Sequence, residues 1–288
     1  MPVRRPAPAR RAPHGPASRR YRTRRRAAYL RMGIVLAAFA LVALATVLLV
    51  VRGIHGYFGT RHVPDALATG AAVGPPYVVA LDAGHGLPDK GAEGYVTEVD
   101  MTEATVDALY ALLEADKNYT PVRTRQNGEG LSVAGRAKAA EDAGASLLLS
   151  VHGNYDETGT VAGYECYAQT PKLAYHEDSL RFAHAIADRM AAAGQALRGQ
   201  NGVRYLYYEG DDESGYEKAI VEESDTTVRS EQTFGVLEKA RCPAVLSEQC
   251  FLSHRQDADA WASAAGCQRA ARLYYEAICD YFGTQPMG

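Results

Sequence analysis

The stretch VVALDAGHG, residues 78–86, constrains the fold of this chain more than any other part of its sequence. An apolar run of strand length ends at Asp82, and His85 follows between Gly84 and Gly86. This pattern predicts a buried strand that leads into a tight turn, because glycine lets the backbone pass close to whatever His85 holds. Ligands bind preferentially at the carboxyl ends of strands in open α/β sheets. His85 is therefore a candidate functional residue, although a single such turn also suits a structural histidine.

Strand-like and helix-like segments alternate along residues 77–284, which predicts an α/β fold. The predicted strands lie at 77–82, 119–124, 146–151, 163–168 and 243–248, and the predicted helices at 97–115, 132–143, 179–193 and 256–282. Continuous apolar strands are typical of sheets that are covered on both faces. We therefore expect an open, twisted, mostly parallel sheet with helices on both faces, forming a catalytic domain over residues 77–284.

One segment of that domain, residues 199–231, does not fit the alternation. It is polar and acidic, with tyrosines interleaved at Tyr205, Tyr207, Tyr208 and Tyr216. It is interpreted either as a flap over a site or as a variable surface insertion. As a flap, it would keep the site closed until an activating protein partner displaced it.

The amino-terminal part of the chain divides into three segments of different composition. Residues 1–31 hold eleven arginines and no acidic residue, which predicts a disordered basic tail. Residues 32–51 carry no charge and, at about 1.5 Å per residue, are long enough to cross a bilayer as one transmembrane helix. Residues 52–76 contain Gly, Ala and Pro with little periodicity, as is typical of a linker.

The arginines that precede the apolar run predict its orientation in a membrane. By the positive-inside rule, the basic tail stays in the cytoplasm and the body of the chain lies outside. A cleaved signal peptide is the alternative, although its apolar region is usually only about 7–15 residues long. We expect an uncleaved, single-pass anchor in the cell membrane and an extracytoplasmic catalytic domain.

The charge of the chain is distributed unevenly. The chain has 31 basic and 34 acidic residues, so the part after residue 31 keeps 20 basic residues and a net charge of −14. An acidic body repels phosphate, which argues against a nucleic acid as the partner.

A second strand-like run also ends at a histidine. The stretch LLLSVHGN, residues 147–154, places His152 directly after a continuous apolar segment. Two histidines at equivalent strand ends are typical of a metal site, because neutral imidazole is a common ligand of Zn²⁺. Ser150 and Asn154 are expected to line the same site.

Two glutamates lie where such a site would need carboxylates. Glu248 ends the apolar run PAVLSE, and a buried carboxylate without a partner is costly. Glu98 opens the predicted helix at 97–115, where the helix dipole also favours an acid. The four residues TEVD at 97–100 match a capping box, which predicts how this helix begins.

These residues combine into one predicted catalytic centre. His85, Glu98 and His152 would form a His₂-carboxylate zinc site with one position open to water, which is typical of catalytic zinc. Glu248 would take the proton of the attacking water. Asp82 is expected either to orient His85 or to cap the end of its strand.

The motifs VVALDAGHG, TEVD, LLLSVHGN and PAVLSEQCFLSH, in this order, resemble the zinc-dependent N-acetylmuramoyl-L-alanine amidases of the Amidase_3 type. The resemblance covers about residues 77–283. In that family, the His of the Gly-His-Gly turn, the following Glu and the His of the Ser-x-His motif bind zinc. The matching residues here are His85, Glu98 and His152. The family's catalytic Glu closes the strand Pro-Ala-Val-Leu-x-Glu, which matches Glu248.

The resemblance implies a cell-wall hydrolase that uses Zn²⁺ to cleave the amide bond between N-acetylmuramic acid and L-alanine in peptidoglycan. Glu248 would then pass its proton to the leaving nitrogen of L-alanine. Two alternatives stay open: a catalytically silent peptidoglycan-binding or regulatory protein on the same fold, and a zinc peptidase that cuts inside the stem peptide. The intact set of four residues argues against the silent protein.

The five cysteines all lie in the predicted catalytic domain, where an exported protein is allowed disulfides. Five is an odd number, so at least one cysteine is unpaired within the chain. Cys250 is a candidate to pair with Cys166, and buried reduced cysteines are the alternative.

Overall fold

The computed structural model describes residues 74–211 and 215–288. The predicted basic tail, the predicted anchor and all but the end of the predicted linker therefore lie outside the described residues. In the part of the chain that is described, no helix combines the length and the apolar character needed to cross a membrane.

The described residues form a seven-stranded sheet with the order β2-β1-β3-β7-β4-β5-β6. Its strands are β1 (Tyr77–Ala83), β2 (Tyr119–Arg123), β3 (Leu147–Asn154), β4 (Glu165–Ala168), β5 (Val203–Asp211), β6 (Gly215–Glu222) and β7 (Ala244–Phe251). Strands β2, β1, β3 and β7 are parallel neighbours, whereas β4 runs antiparallel to β7 and β6 antiparallel to β5. The predicted α/β fold is confirmed, with a mixed sheet.

Six described helices pack on this sheet. They are α1 (Glu98–Ala115), α2 (Val133–Asp142), α3 (His176–Ala192), α4 (Gly235–Lys239), α5 (Arg255–Trp261) and α6 (Ala264–Phe282). The longest predicted helix is thus divided in two, because Ser263 begins a new helix by accepting a hydrogen bond from the amide of Gly266.

The two faces of the sheet have separate apolar cores. On one face, side chains such as Leu147 and Leu149 of β3 pack with helices α1, α3, α5 and α6. On the other face, Leu148 and Leu246 pack with α2 and α4. Adjacent residues of a strand point to opposite faces, so β3 must be apolar along its whole length. Helices therefore cover both faces, as predicted.

The segment 199–231 continues the sheet, which the predicted alternation did not include. It folds into the hairpin of β5 and β6, paired from Arg204 with Glu222 to Asp211 with Gly215. Tyr205 and Tyr207 are fully buried in the core, whereas most of β6 is exposed because β6 is the last strand of the sheet. The polar composition of the segment reflects this exposed edge.

Helix α1 does not begin with the predicted capping box. The side chain of Thr97 makes no capping hydrogen bond. The carbonyls of Ala92 and Lys90 instead accept hydrogen bonds from the amides of Glu98, at 2.9 Å, and Val99, at 3.1 Å. Backbone carbonyls of the loop before α1 therefore cap the helix in place of the Thr97 side chain.

The cysteines bear out the reduced alternative. All five are buried and unpaired, including Cys166 and Cys250. Burial raises the pKa of the Cys166 thiol to about 12, so it behaves as a small apolar side chain.

Candidate metal centre and catalytic site

Three neighbouring parallel strands bring the predicted site residues to one edge of the sheet. His85 follows the end of β1, His152 lies near the end of β3, and Glu248 lies near the end of β7. His152 and Glu248 are direct partners in the register of β3 and β7. Glu98 reaches the same edge from the first turn of α1. The sheet therefore brings all four residues together.

Glu98 lies between the two imidazoles. Its Oε1 atom is 3.1 Å from Nε2 of His85 and 3.0 Å from Nδ1 of His152. The backbone amide of Gly153 donates a hydrogen bond to Oε1 at 3.0 Å, and that of Ala92 donates one to Oε2 at 2.9 Å. One ligand atom from each of His85, Glu98 and His152 lies within 4.8 Å of the others.

This set of donor atoms fits a zinc ion. Two imidazoles and one carboxylate form a typical catalytic zinc site, with a fourth position left for water or substrate. Two glycines leave the space that the set needs. A Cβ atom on Gly84 would lie 2.5 Å from Cε1 of His152, and one on Gly91 would lie 2.5 Å from Oε2 of Glu98. Residues with larger side chains at these positions would displace the ligands.

The electrostatics of the site keep Glu98 ionised. Burial raises the pKa of this carboxyl, but the hydrogen bonds and charges of His152 and His85 outweigh burial and hold the pKa well below its usual range. For His85, burial acts in the opposite direction and lowers the pKa. The hydrogen bonds and charges of Glu98 and Asp89 outweigh burial and raise this pKa to about 9 in the metal-free protein. The negative charge of Glu98 therefore favours a cation between the two imidazoles, either a proton or a metal ion.

Two buried arginines hold the turn that carries His85. Arg125 donates hydrogen bonds to the carbonyls of Ala83, at 2.9 Å, and Gly84, at 3.1 Å. Arg136 donates to the carbonyls of Ala83 and His85. His85 has a φ of 61°, a left-handed conformation that costs energy for a residue with a side chain. The arginines stabilise this conformation from behind the turn.

Asp82 does not orient His85, contrary to one of the two expectations for it. Its carboxylate is buried and accepts hydrogen bonds from Thr124, from Arg136 at 2.8 Å and from Ser150 at 2.7 Å. Burial raises the pKa of Asp82, but the charge of Arg136 and these hydrogen bonds outweigh it and lower the pKa. Asp82 therefore holds the end of β1, and Ser150 supports it from β3 instead of lining the site.

Asp89 takes the orienting role that the sequence analysis missed. Its Oδ2 atom lies 2.9 Å from Nδ1 of His85, and its Oδ1 atom accepts a hydrogen bond from the amide of Gly91 at 3.0 Å. A carboxylate on Nδ1 fixes the tautomer in which Nε2 of His85 faces Glu98 and the candidate metal position. The only sign of this contact in the sequence is that Asp89 follows His85 by four residues.

Glu248 has surroundings unlike those of Glu98. Its Oε2 atom is buried and has no hydrogen-bond partner among the described residues. Burial raises the pKa of Glu248 to about 7, and the nearby charges only partly offset one another. A carboxylate with a pKa near neutrality is suited to accept and return a proton.

A cavity of about 480 Å³ opens over these residues. One wall holds the three candidate metal ligands, and Glu248 lines the same space. The other residues of the lining include Asp89, Arg136, Asn154, Tyr155, Tyr208, Lys218, Phe234 and Leu246. Asn154 lines the cavity as predicted, while its side chain also donates to Glu165 at 2.6 Å. Tyr208 lies in the segment 199–231, for which a flap over a site was one of two interpretations. Lys218 of the same segment was missed as a site residue, because the segment has no recognisable motif.

The model of the Amidase_3 family, described as N-acetylmuramoyl-L-alanine amidase, matches residues 79–280 of this chain. The chain belongs to this amidase family. All four predicted site residues lie inside the matched part.

Individual amidases show the same relationship. The chain is 26% identical over 225 residues to the probable N-acetylmuramoyl-L-alanine amidase AmiB of Haemophilus influenzae, covering 72% of this chain and 52% of AmiB. The chain thus spans about half of the length of that relative. The catalytic domain of the amidase CwlV of Paenibacillus polymyxa is similar in structure, with a TM-score of 0.57, 25% identity and coverage of 73% of this chain and 99% of CwlV.

A third amidase was solved with a partner. The CwlD amidase of Clostridioides difficile, in complex with the GerS lipoprotein, shares the fold with a TM-score of 0.55. It is 20% identical, and the match covers 72% of this chain and 98% of CwlD.

Proposed function

We propose that this protein is a zinc-dependent amidase that hydrolyses the bond between N-acetylmuramic acid and L-alanine in peptidoglycan. The observation that supports this most directly is the meeting of His85, Glu98 and His152 within 4.8 Å at the edge of the sheet that also carries Glu248. Family membership supplies the substrate class.

His85, Glu98 and His152 would hold the zinc ion, with Asp89 orienting His85 from behind. When bound, zinc polarises a carbonyl group and makes water more acidic. The ligand wall thus determines where the scissile carbonyl lies, while Gly84 and Gly91 keep that wall close-packed.

Glu248 would carry the proton through the reaction. Its carboxylate takes a proton from the attacking water and delivers it to the nitrogen of L-alanine as the amide bond breaks. Because Oε2 has no hydrogen-bond donor among the described residues, the proton does not have to displace a protein partner. The raised pKa makes the protonated form accessible near neutral pH.

A digest of purified peptidoglycan tests the proposal. The full chain is incubated with zinc, next to the variant Glu248→Ala, and the products are identified by mass spectrometry. Free peptides that begin with L-alanine, released by the wild type alone, would support the proposal. Cuts confined to the stem peptide would assign a peptidase instead, and no product at saturating zinc would favour the silent binding protein.

The location and the regulation of the protein are also proposals. The sequence of residues 32–51 supports a single-pass anchor in the cell membrane, with the catalytic domain outside. A protease added to intact cells should then remove the domain.

The complex named for CwlD suggests that a protein partner acts on this amidase as well, which co-purification from detergent extracts would test.

A further inference from the structure

The hairpin of β5 and β6 places one lysine in the wall of the catalytic cavity. Lys218 of β6 pairs in register with Tyr208 of β5, and both residues line the cavity. Its Nζ atom lies 5.7 Å from the centroid of the Phe234 ring, which Tyr208 also contacts edge-on at a centroid distance of 6.3 Å. Lys218, Tyr208 and Phe234 therefore form a hairpin wall of the cavity that carries none of the candidate metal ligands.

Lys218 and Arg136 are the two basic residues of the described cavity lining, and only Arg136 is neutralised by a partner. Arg136 is committed to Asp82 and to the carbonyls of the His85 turn. Within the described part of the chain, the ammonium of Lys218 has no carboxylate partner, and its side chain is exposed to the cavity solvent. A positive charge without a counter-ion is thus presented to any molecule that enters.

The charge of Lys218 reaches the catalytic end of the cavity. It is one of the groups that act electrostatically on Glu248, where it favours the ionised carboxylate. Apart from the candidate ligands His85 and His152, the other titratable carboxylates and phenols of the lining include the acids Asp89, Glu98 and Glu248. A negatively charged part of a substrate would therefore be repelled by these acids and attracted to the hairpin wall and to a bound metal ion.

The stem peptide of peptidoglycan carries such a group. The residue that follows L-alanine is of the glutamate type, and its α-carboxyl is either free or amidated. We propose that Lys218 binds this carboxylate and makes the enzyme prefer stem peptides in which it is free. The inference rests on the proposed function and names a specificity-determining residue for it. The ring of Phe234 holds the ammonium by a cation–π contact, and Tyr208 packs edge-on against the same ring.

The experiment compares two soluble substrates that differ only in that group: N-acetylmuramoyl-L-alanyl-D-glutamate and its α-amide. We expect the full-length, zinc-loaded wild type to cleave the free acid with a kcat/KM about fivefold higher, the upper range for an ion pair that water can reach. Lys218→Met should remove this preference, and Lys218→Arg should keep most of it.

The ratio between the two substrates separates binding from other roles of the lysine. If Lys218 acted only through Glu248, its loss would change kcat/KM for both substrates equally and leave the ratio unchanged, which would overturn the proposal. Lys117→Met is the matched control, because Lys117 is exposed before β2, at the opposite edge of the sheet from the cavity. This variant should retain the wild-type ratio.

Failure of the proposed function would look different. In that case the wild type with zinc would release neither lactyl product nor peptide from either substrate. Cleavage of both substrates with a ratio near one in the wild type would leave the amidase in place and refute the role of Lys218.

Discussion

Glu98, in the first turn of α1, and Glu248, near the end of β7, are two carboxylates on one cavity with opposite surroundings. Glu98 meets two imidazoles and two backbone amides, and these hold its pKa well below the usual range. Glu248 has a buried oxygen without a hydrogen-bond partner in the described structure, and burial raises its pKa to about 7. One region thus keeps a permanent charge that suits a metal ligand, while the other holds a carboxylate whose pKa suits proton transfer.

The largest expected effect comes from replacing Glu248, the proposed base. We expect Glu248→Gln to lower kcat by about 10²–10⁴-fold, the usual contribution of a positioned acid–base group. Zinc content should stay at the wild-type level, because Glu248 is not among the three residues that converge on the metal position. Peptide release and metal analysis on the same samples check both parts. A variant that loses zinc together with activity would show that Glu248 is a ligand.

The complementary change is Glu98→Gln, which keeps the shape of the side chain but removes its charge. We expect zinc affinity to fall by more than about 100-fold, since residues that only support a ligand already account for about 10–100-fold. Competition with a chromogenic chelator measures the affinity directly. Unchanged affinity would mean that the two histidines suffice and that Glu98 only orients them.

The free energy of unfolding of the metal-free protein also tests the difference between Glu98 and Glu248. The pKa of Glu248 is raised by folding, so its ionisation destabilises the folded state as pH rises from about 4.5 through about 7, and the cost then stays constant. Glu248→Gln should therefore match the wild type near pH 4.5 and exceed it by about 3 kcal/mol at pH 8, since a shift of one pKa unit corresponds to about 1.4 kcal/mol. Urea unfolding in chelator at the two pH values tests this, and equal stability at pH 8 would contradict the buried, unpartnered carboxylate.

The smallest effect concerns the support of His85. Asp89→Ala should reduce zinc affinity about 10-fold, because Nδ1 of His85 loses the carboxylate that fixes its tautomer. Asp89→Asn restores a hydrogen bond without the charge and should recover part of the loss. Asp107→Ala, on an exposed carboxylate paired with Arg123, is a suitable control. Identical affinities for all three variants would assign Asp89 to the loop alone.

Residues that end apolar strands were predictable from sequence. His85, His152 and Glu248 each follow a continuous buried run, and the parallel order of β1, β3 and β7 makes these ends converge. The apolar runs predict where the strands end, and the geometry of parallel sheets predicts that these ends lie close together. Glu98 was found because it begins a helix that packs beside the same edge.

Contacts made by polar residues outside these runs were not predictable. Asp89 lies in the loop after His85, and Arg136 reaches the carbonyl of His85 from α2, and hydrophobic periodicity encodes neither contact. Strand β6 was missed because an exposed edge strand reads as a polar segment. Thr97 matched a capping box, yet the loop carbonyls reach the helix first, so tertiary contacts override the local motif.

The position of β7 has a consequence for how the domain assembles during synthesis. This strand is late in the chain but central in the sheet, between β3 and β4. While a ribosome is still adding the preceding residues, β3 and β4 lack the strand that joins them, and the base at Glu248 does not yet exist. The strand order delays completion of the candidate site until nearly the whole domain has been synthesised.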